Sequence, residues 1–151
     1  MKNTLLLIFI FITNAAYTQC IKGDCQNGIG VYSFNNGDTY VGEFRNGKRH
    51  GLGTYSFVGG RLHTGQWAYN EKHGLGVTTF EGGSVLQSDY NNGKRHGTAV
   101  QFDEYMNCVI INYYYDKIVS NSQTYYNCYD QLITVTKHRD RIINDIKNAL
   151  N

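Results

Sequence analysis

Room for one ordinary domain is what 151 residues provide, which argues against an enzyme with separate substrate and cofactor halves. A formal net charge of +2 is too weak to hold nucleic acid by field strength, so any electrostatic function has to come from local clustering.

The first 18 residues read as an export signal. Lys2 supplies the positive start, Leu5 to Ile12 is an unbroken apolar run, and small or polar residues follow at Thr13 to Ala16. Cleavage is expected near Ala16 or Thr18, so residues 1–18 are set aside from the fold. The run is far shorter than the roughly 20 apolar residues that span a bilayer, which disfavours a membrane anchor. Tyr17, Thr18 and Gln19 lack the small residues of a lipoprotein processing site, which disfavours a lipid on Cys20. The expected destination is secreted, periplasmic or cell-surface.

Four cysteines remain beyond this segment: Cys20, Cys25, Cys108 and Cys128. In an oxidising compartment an even count allows three pairing schemes. Proximity favours Cys20 with Cys25 and Cys108 with Cys128, bridges that would staple the two ends of a structure with little core. A zinc site is the competing idea, but no C-x-x-C pair or nearby histidine completes a tetrahedral set.

A constant repeat organises residues 19–108. His50, His73 and His96 are equally separated, since 73 − 50 and 96 − 73 are both 23, and Gly51, Gly74 and Gly97 keep the spacing. Gly28 extends it backwards, so four units can be counted, the outer two imperfect. Within a unit Tyr40, Gly42 and Phe44 alternate with Val41, Glu43 and Arg45, the two-residue period of a strand. Asn46-Gly47 then signals a turn, and Gly51, Gly53, Tyr55 and Phe57 fall on one side of a second strand. Each unit is therefore a hairpin. Asn35-Asn36-Gly37, Val58-Gly59-Gly60 and Glu81-Gly82-Gly83 return the chain to the next one.

The shared pattern is Y-x-G-x-[FW]-x-x-G-x-x-H-G-x-G, with Gly65, Trp67, His73, Gly74, Gly76 and Phe80 in register with the preceding unit. It resembles the MORN (membrane occupation and recognition nexus) repeat over roughly residues 20 to 108. The resemblance implies a mainly β fold, an elongated single-layer antiparallel sheet of stacked hairpins. It also implies a non-catalytic scaffold, with phospholipid binding often proposed for such proteins.

Glycine inside a strand normally weakens it. Here Gly42 and Gly53 share a face with Tyr40, Phe44, Tyr55 and Phe57, so aromatic rings can lie across bare backbone and shield the sheet without an opposing layer. All 17 glycines fall between Gly23 and Gly97, and a different ending, residues 109–151, begins beyond the array. Val109 to Tyr115 and Ile118 to Tyr126 read as strands paired around Asp116-Lys117. Leu132, Val135, Arg139, Ile142, Ile146 and Ala149 then follow helical spacing, with a helix expected over at least 138–149. Such a helix either caps an exposed edge or face of the sheet or presents its apolar stripe to a partner.

For chemistry, the histidines come first. Successive copies on neighbouring hairpins stand about 10 Å apart, too far to share a zinc ion, so a hydrogen bond from each ring to its hairpin loop is the expected role. No H-E-x-x-H, P-loop, G-x-S-x-G or G-x-G-x-x-G arrangement occurs, and no cofactor or metal is expected. A hydrolase of surface polymers would need a deep pocket that a single open sheet rarely forms.

Two surfaces remain as candidates. Lys48-Arg49-His50, Lys72-His73 and Lys94-Arg95-His96 form one row along the hairpin loops, a solvated edge or a binder of phosphates and acidic segments. Tyr40, Phe44, Tyr55, Trp67, Phe80 and Tyr90 make an aromatic face which, if the helix leaves it bare, suits a protein or peptide. The first expectation is a protein-binding scaffold using that groove and its charged rim. The second is a peripheral binder of anionic lipid head groups or other polyanions. Sheet ends also offer edges for pairing between copies.

Overall fold

The computed structural model describes residues 19–105, 107–120, 123–125 and 128–151. The expected export signal, 1–18, and part of the strand expected through Tyr126 lie outside the described residues.

Among the described residues the chain forms one antiparallel sheet in which each strand up to the tenth pairs with the next in sequence. The strands are β1 (Gln19–Gly23), β2 (Ile29–Ser33), β3 (Thr39–Arg45), β4 (Lys48–Ser56), β5 (Leu62–Ala68), β6 (Glu71–Thr79), β7 (Val85–Asn91), β8 (Lys94–Phe102), β9 (Cys108–Tyr114), β10 (Lys117–Ile118) and β11 (Gln123–Tyr125). Both β10 and β11 pair with β9, and a single helix, α1 (Tyr129–Ala149), follows.

Corners at one end of the strands are two-residue turns with left-handed φ at both positions. They are Asn46-Gly47, Tyr69-Asn70, Asn92-Gly93 and Tyr115-Asp116. Turns of this hand match the twist of the strands they join. The second residue of a corner also straps its hairpin to the one before: Asn70 N–H donates to the Arg49 carbonyl at 3.1 Å, Gly93 to Lys72 at 2.9 Å and Asp116 to Arg95 at 2.9 Å. The last strap carries the spacing past the final glycine. The turn there is at Tyr115-Asp116, one residue before the position expected from sequence, and β9 ends at Tyr114 accordingly.

The paired glycines lie opposite each other, Gly42 with Gly53 and Gly65 with Gly76. A Cβ on Gly53 would stand 2.3 Å from Cζ of Tyr40, and one on Gly76 would stand 2.6 Å from Cε1 of His63. Rings do lie across bare backbone, and they close one face of the sheet. Tyr40, Phe44, Tyr55 and Trp67 form one cluster there with Tyr32, Phe34 and Phe57 at its border. Leu86, Ala99 and Tyr113 form a second with Phe80 and Ile111.

The other face is closed by α1. Strand alternation points Val77, Val85, Phe102 and Cys108 that way, and they pack with Val135, Leu132 and Cys128. Ile142 and Ile146 are buried further along the helix, which also touches β4, β5 and β6. Arg139 fixes its position by donating to Thr79 Oγ1 at 3.0 Å. The helix begins nine residues before the expected 138, because Leu132 and Val135 already belong to its apolar stripe. Disulfides join Cys20 to Cys25 and Cys108 to Cys128, so the second bridge ties the start of α1 to β9.

Candidate functional site

Because α1 occupies the opposite face, the aromatic face is left without a covering element among the described residues. Tyr40, Phe44, Tyr55, Trp67 and Tyr90 are buried by one another and by the backbone, while Phe80 is half-buried. Tyr40 meets Trp67 edge-on at 5.5 Å, Trp67 meets His63 at 5.5 Å and His63 meets Tyr90 at 5.2 Å, so the rings form one file across the strands. Trp67 Nε1 donates to the Gly53 carbonyl at 3.2 Å, which holds the indole across the glycine strip.

His63 is the member of this file that sequence reasoning missed. It stands 23 residues after Tyr40, since 63 − 40 = 23, in the ring position of the next repeat. It is fully buried, its Nδ1 is 2.8 Å from Thr78 Oγ1, and burial pushes the imidazole far down, to about 2. The ring is therefore neutral and serves as packing.

The charged row along the corners is not one row. Strand alternation separates neighbours that sequence places side by side. Lys48 and Lys94 are exposed at the hairpin ends, and His73 is exposed as well. Arg49, Lys72 and Arg95 turn instead onto the aromatic face. The guanidinium of Arg49 lies 4.6 Å from the Trp67 ring centre and 4.9 Å from that of Tyr55; the Lys72 ammonium is 5.2 Å from Tyr90, and Arg95 is 4.2 Å from Tyr113. Nor, among the described residues, do the histidines bond to their loops. His50 and His96 pack against Tyr69 at 5.4 Å and Tyr115 at 4.7 Å, and the Nδ1 of each is buried with no hydrogen-bond partner among the described residues.

The corners hold the turned cations in place. Arg49 N–H donates to Asn70 Oδ1 at 2.9 Å and its Nη2 to the Asn70 carbonyl at 2.8 Å. Asp116 is the equivalent residue at the last corner, accepting from both N–H and Nε of Arg95 at 3.1 and 2.9 Å. A further cation, Arg61, was also missed. It comes from the return between β4 and β5, and its guanidinium lies 3.8 Å from the Phe57 ring centre.

Three linked hollows run along this face. The first, about 240 Å³, is lined by Tyr32, Phe34, Phe44 and Arg49. The second, about 300 Å³, shares Arg49 and adds Phe57, Trp67, Glu71 and Lys72. The third, about 210 Å³, shares Lys72 and adds Arg61, Tyr90, Arg95 and Asp116. A larger cavity of about 610 Å³ lies on the other face, under the start of α1. Its walls are mainly Val100, Phe102, Ile110 and Val135 beside the Cys108–Cys128 bridge, with Asp130 at its border, so it is a seam of the cap and lacks the convergent cations of the aromatic face.

Arg49, Arg61 and Lys72 form no salt bridge among the described residues, whereas Arg95 is paired with Asp116 at 2.9 Å. Burial first, then the charge of Arg61, pushes the Lys72 ammonium down to about 8, while the carboxylate of Asp116 works against the shift. The arrangement suits extended contact with anionic and planar groups, since aromatic floors with cations above them attract both.

A single-layer sheet of stacked hairpins with periodic glycine pairs under aromatic rings defines a class of repeat scaffold. The MORN repeat profile matches residues 26–39, 40–60, 63–85 and 87–101, and the chain belongs to that family. A comparison with curated proteins finds no match.

Proposed function

We propose that this chain is a non-catalytic scaffold that works outside the cytosol and binds a protein partner along its aromatic face. The observation carrying this reading is the asymmetry of the sheet: α1 closes one face, and the other leaves cations over rings along three linked hollows. Aromatic residues and arginine are the groups enriched where protein partners gain most of their binding energy. Two disulfides support an oxidising surrounding, and the apolar run Leu5 to Ile12 supports export as the route to it.

The test uses the full chain, immobilised and exposed to the extracellular proteins of its source, beside an Arg61→Glu variant. Arg61 is exposed and makes no side-chain hydrogen bond among the described residues, so the reversal leaves the fold intact while placing repulsion in the face. Mass spectrometry is expected to find a protein held by the wild type and lost by the variant. Equal retention by both sinks the reading.

A second reading rests on Lys48 and Lys94, which are exposed at alternate hairpin ends with Glu71 at the end between them. These lysines suit a surface of anionic lipid head groups. Sedimentation with phosphatidylserine vesicles, lost with added salt and with Lys48→Ala plus Lys94→Ala, would select that reading over the first.

A further inference from the structure

Within the protein-binding reading just given, the spacing of the cations says what kind of segment fits. Arg49, Lys72 and Arg95 occupy the same place in three successive repeats. One repeat adds two strands, and with strands about 4.8 Å apart the cations recur at roughly 9.6 Å along the face. A polyproline-type chain rises about 3.1 Å per residue with three residues per turn, so its same-facing side chains recur at roughly 9.3 Å. A β-strand laid along the row would present same-facing groups every 6.6 Å or so and lose register after one repeat.

We infer that the occupant of the aromatic face is an extended polyproline-type polypeptide segment carrying an acidic side chain at every third residue.

Three features of the face support this occupant. The hollows share their boundary residues, Arg49 between the first and second and Lys72 between the second and third, so a continuous chain can lie through all of them. The third hollow gathers Arg61, Lys72 and Arg95 against the carboxylate of Asp116, which Arg95 already holds at 2.9 Å, so it keeps an excess of positive charge and is the strongest seat for an acidic side chain. The hollows are floored by the half-buried rings of Phe57 and Phe80 and the edges of buried Tyr55, Trp67 and Tyr90, apolar surface that suits the rings and methylenes of a polyproline-type backbone.

Trp67 is the chain's one tryptophan and lies under Arg49, so its fluorescence reports occupancy directly. The full chain is titrated with three twelve-residue peptides: four Glu-Pro-Pro triplets, four Gln-Pro-Pro triplets, and the composition of the first with its four glutamates contiguous. The spaced acidic peptide is expected to bind about tenfold tighter than its contiguous isomer and to lose about tenfold in Lys72→Met. Arg61→Gln, at an exposed position, is expected to weaken it as well while leaving thermal unfolding unchanged. Equal affinity for the spaced and contiguous peptides overturns the spacing inference but leaves the face as a protein-binding surface. Quenching of Trp67 by phosphatidylserine vesicles and by none of the peptides overturns it in favour of a lipid occupant. Partner capture that ignores Arg61→Glu removes the reading beneath it.

Discussion

The two faces of this sheet are built from the same strands and are kept from water by different means. On one face Val77, Val85 and Phe102 wait for a separate element, and α1 supplies it with Val135, Ile142 and Ile146. On the other, two successive repeats cover their own backbone by laying Tyr40 over Gly53 and His63 over Gly76. A face sealed by a helix is occupied, whereas a face sealed by its own rings stays available. That difference lets a single layer have both a core and a binding surface.

Removing a buried group from the helix-covered face is the most damaging way to break the comparison. Phe102 is 1% exposed and packs beside the Cys108–Cys128 bridge, so Phe102→Ala is expected to cost about 3–5 kcal/mol in urea unfolding followed by circular dichroism. Crowding the ring-covered face costs less, because rings can shift where a helix interface cannot refill. Gly53→Ala drives a methyl into Tyr40 and is expected to cost about 1–3 kcal/mol, with a change in Trp67 emission because Trp67 packs on the same ring.

The cations sharpen the comparison through pH. Lys72 titrates at about 8 in the fold against 10.5 for the free side chain, chiefly through burial. Between those values the unfolded chain binds more protons, so stability rises with pH in that window and the slope vanishes below it. Melting temperatures from pH 7 to about 9.5, before ordinary tyrosines ionise, are expected to climb for the wild type and stay flat for Lys72→Met. The smallest effect belongs to a glycine that no ring covers. Gly82 has nothing within 4 Å of a built Cβ, so Gly82→Ala is expected to be neutral or stabilising by at most about 1 kcal/mol in the same unfolding assay.

Much of this was legible because the repeat is local. Equal spacing of His50, His73 and His96 marked the period, and alternation around Gly42 and Gly53 marked both the strands and the rings over them. The charged corners were harder, because Lys48, Arg49 and His50 are adjacent in the chain while the sheet turns Arg49 onto Trp67 and leaves Lys48 and His50 beside Tyr69. His63 escaped notice since its residue type differs from Tyr40 while its place does not. Asp116 escaped because Arg95, which it pairs with, lies 21 residues away, and Arg61 because the hollow that it lines with Lys72 and Arg95 is built by other strands.

By itself, then, the order of residues determined the hairpins, their period, the glycine strip and the apolar stripe of the helix, all of which depend on neighbours a few positions apart. Which face the helix would cover was decided only in three dimensions, since Val77, Val85 and Phe102 meet Val135 across dozens of residues. The same holds for the cations: a strand's two-residue alternation and the left-handed corner of the next hairpin together turn Arg49 onto Trp67, and neither influence is visible from Arg49 alone.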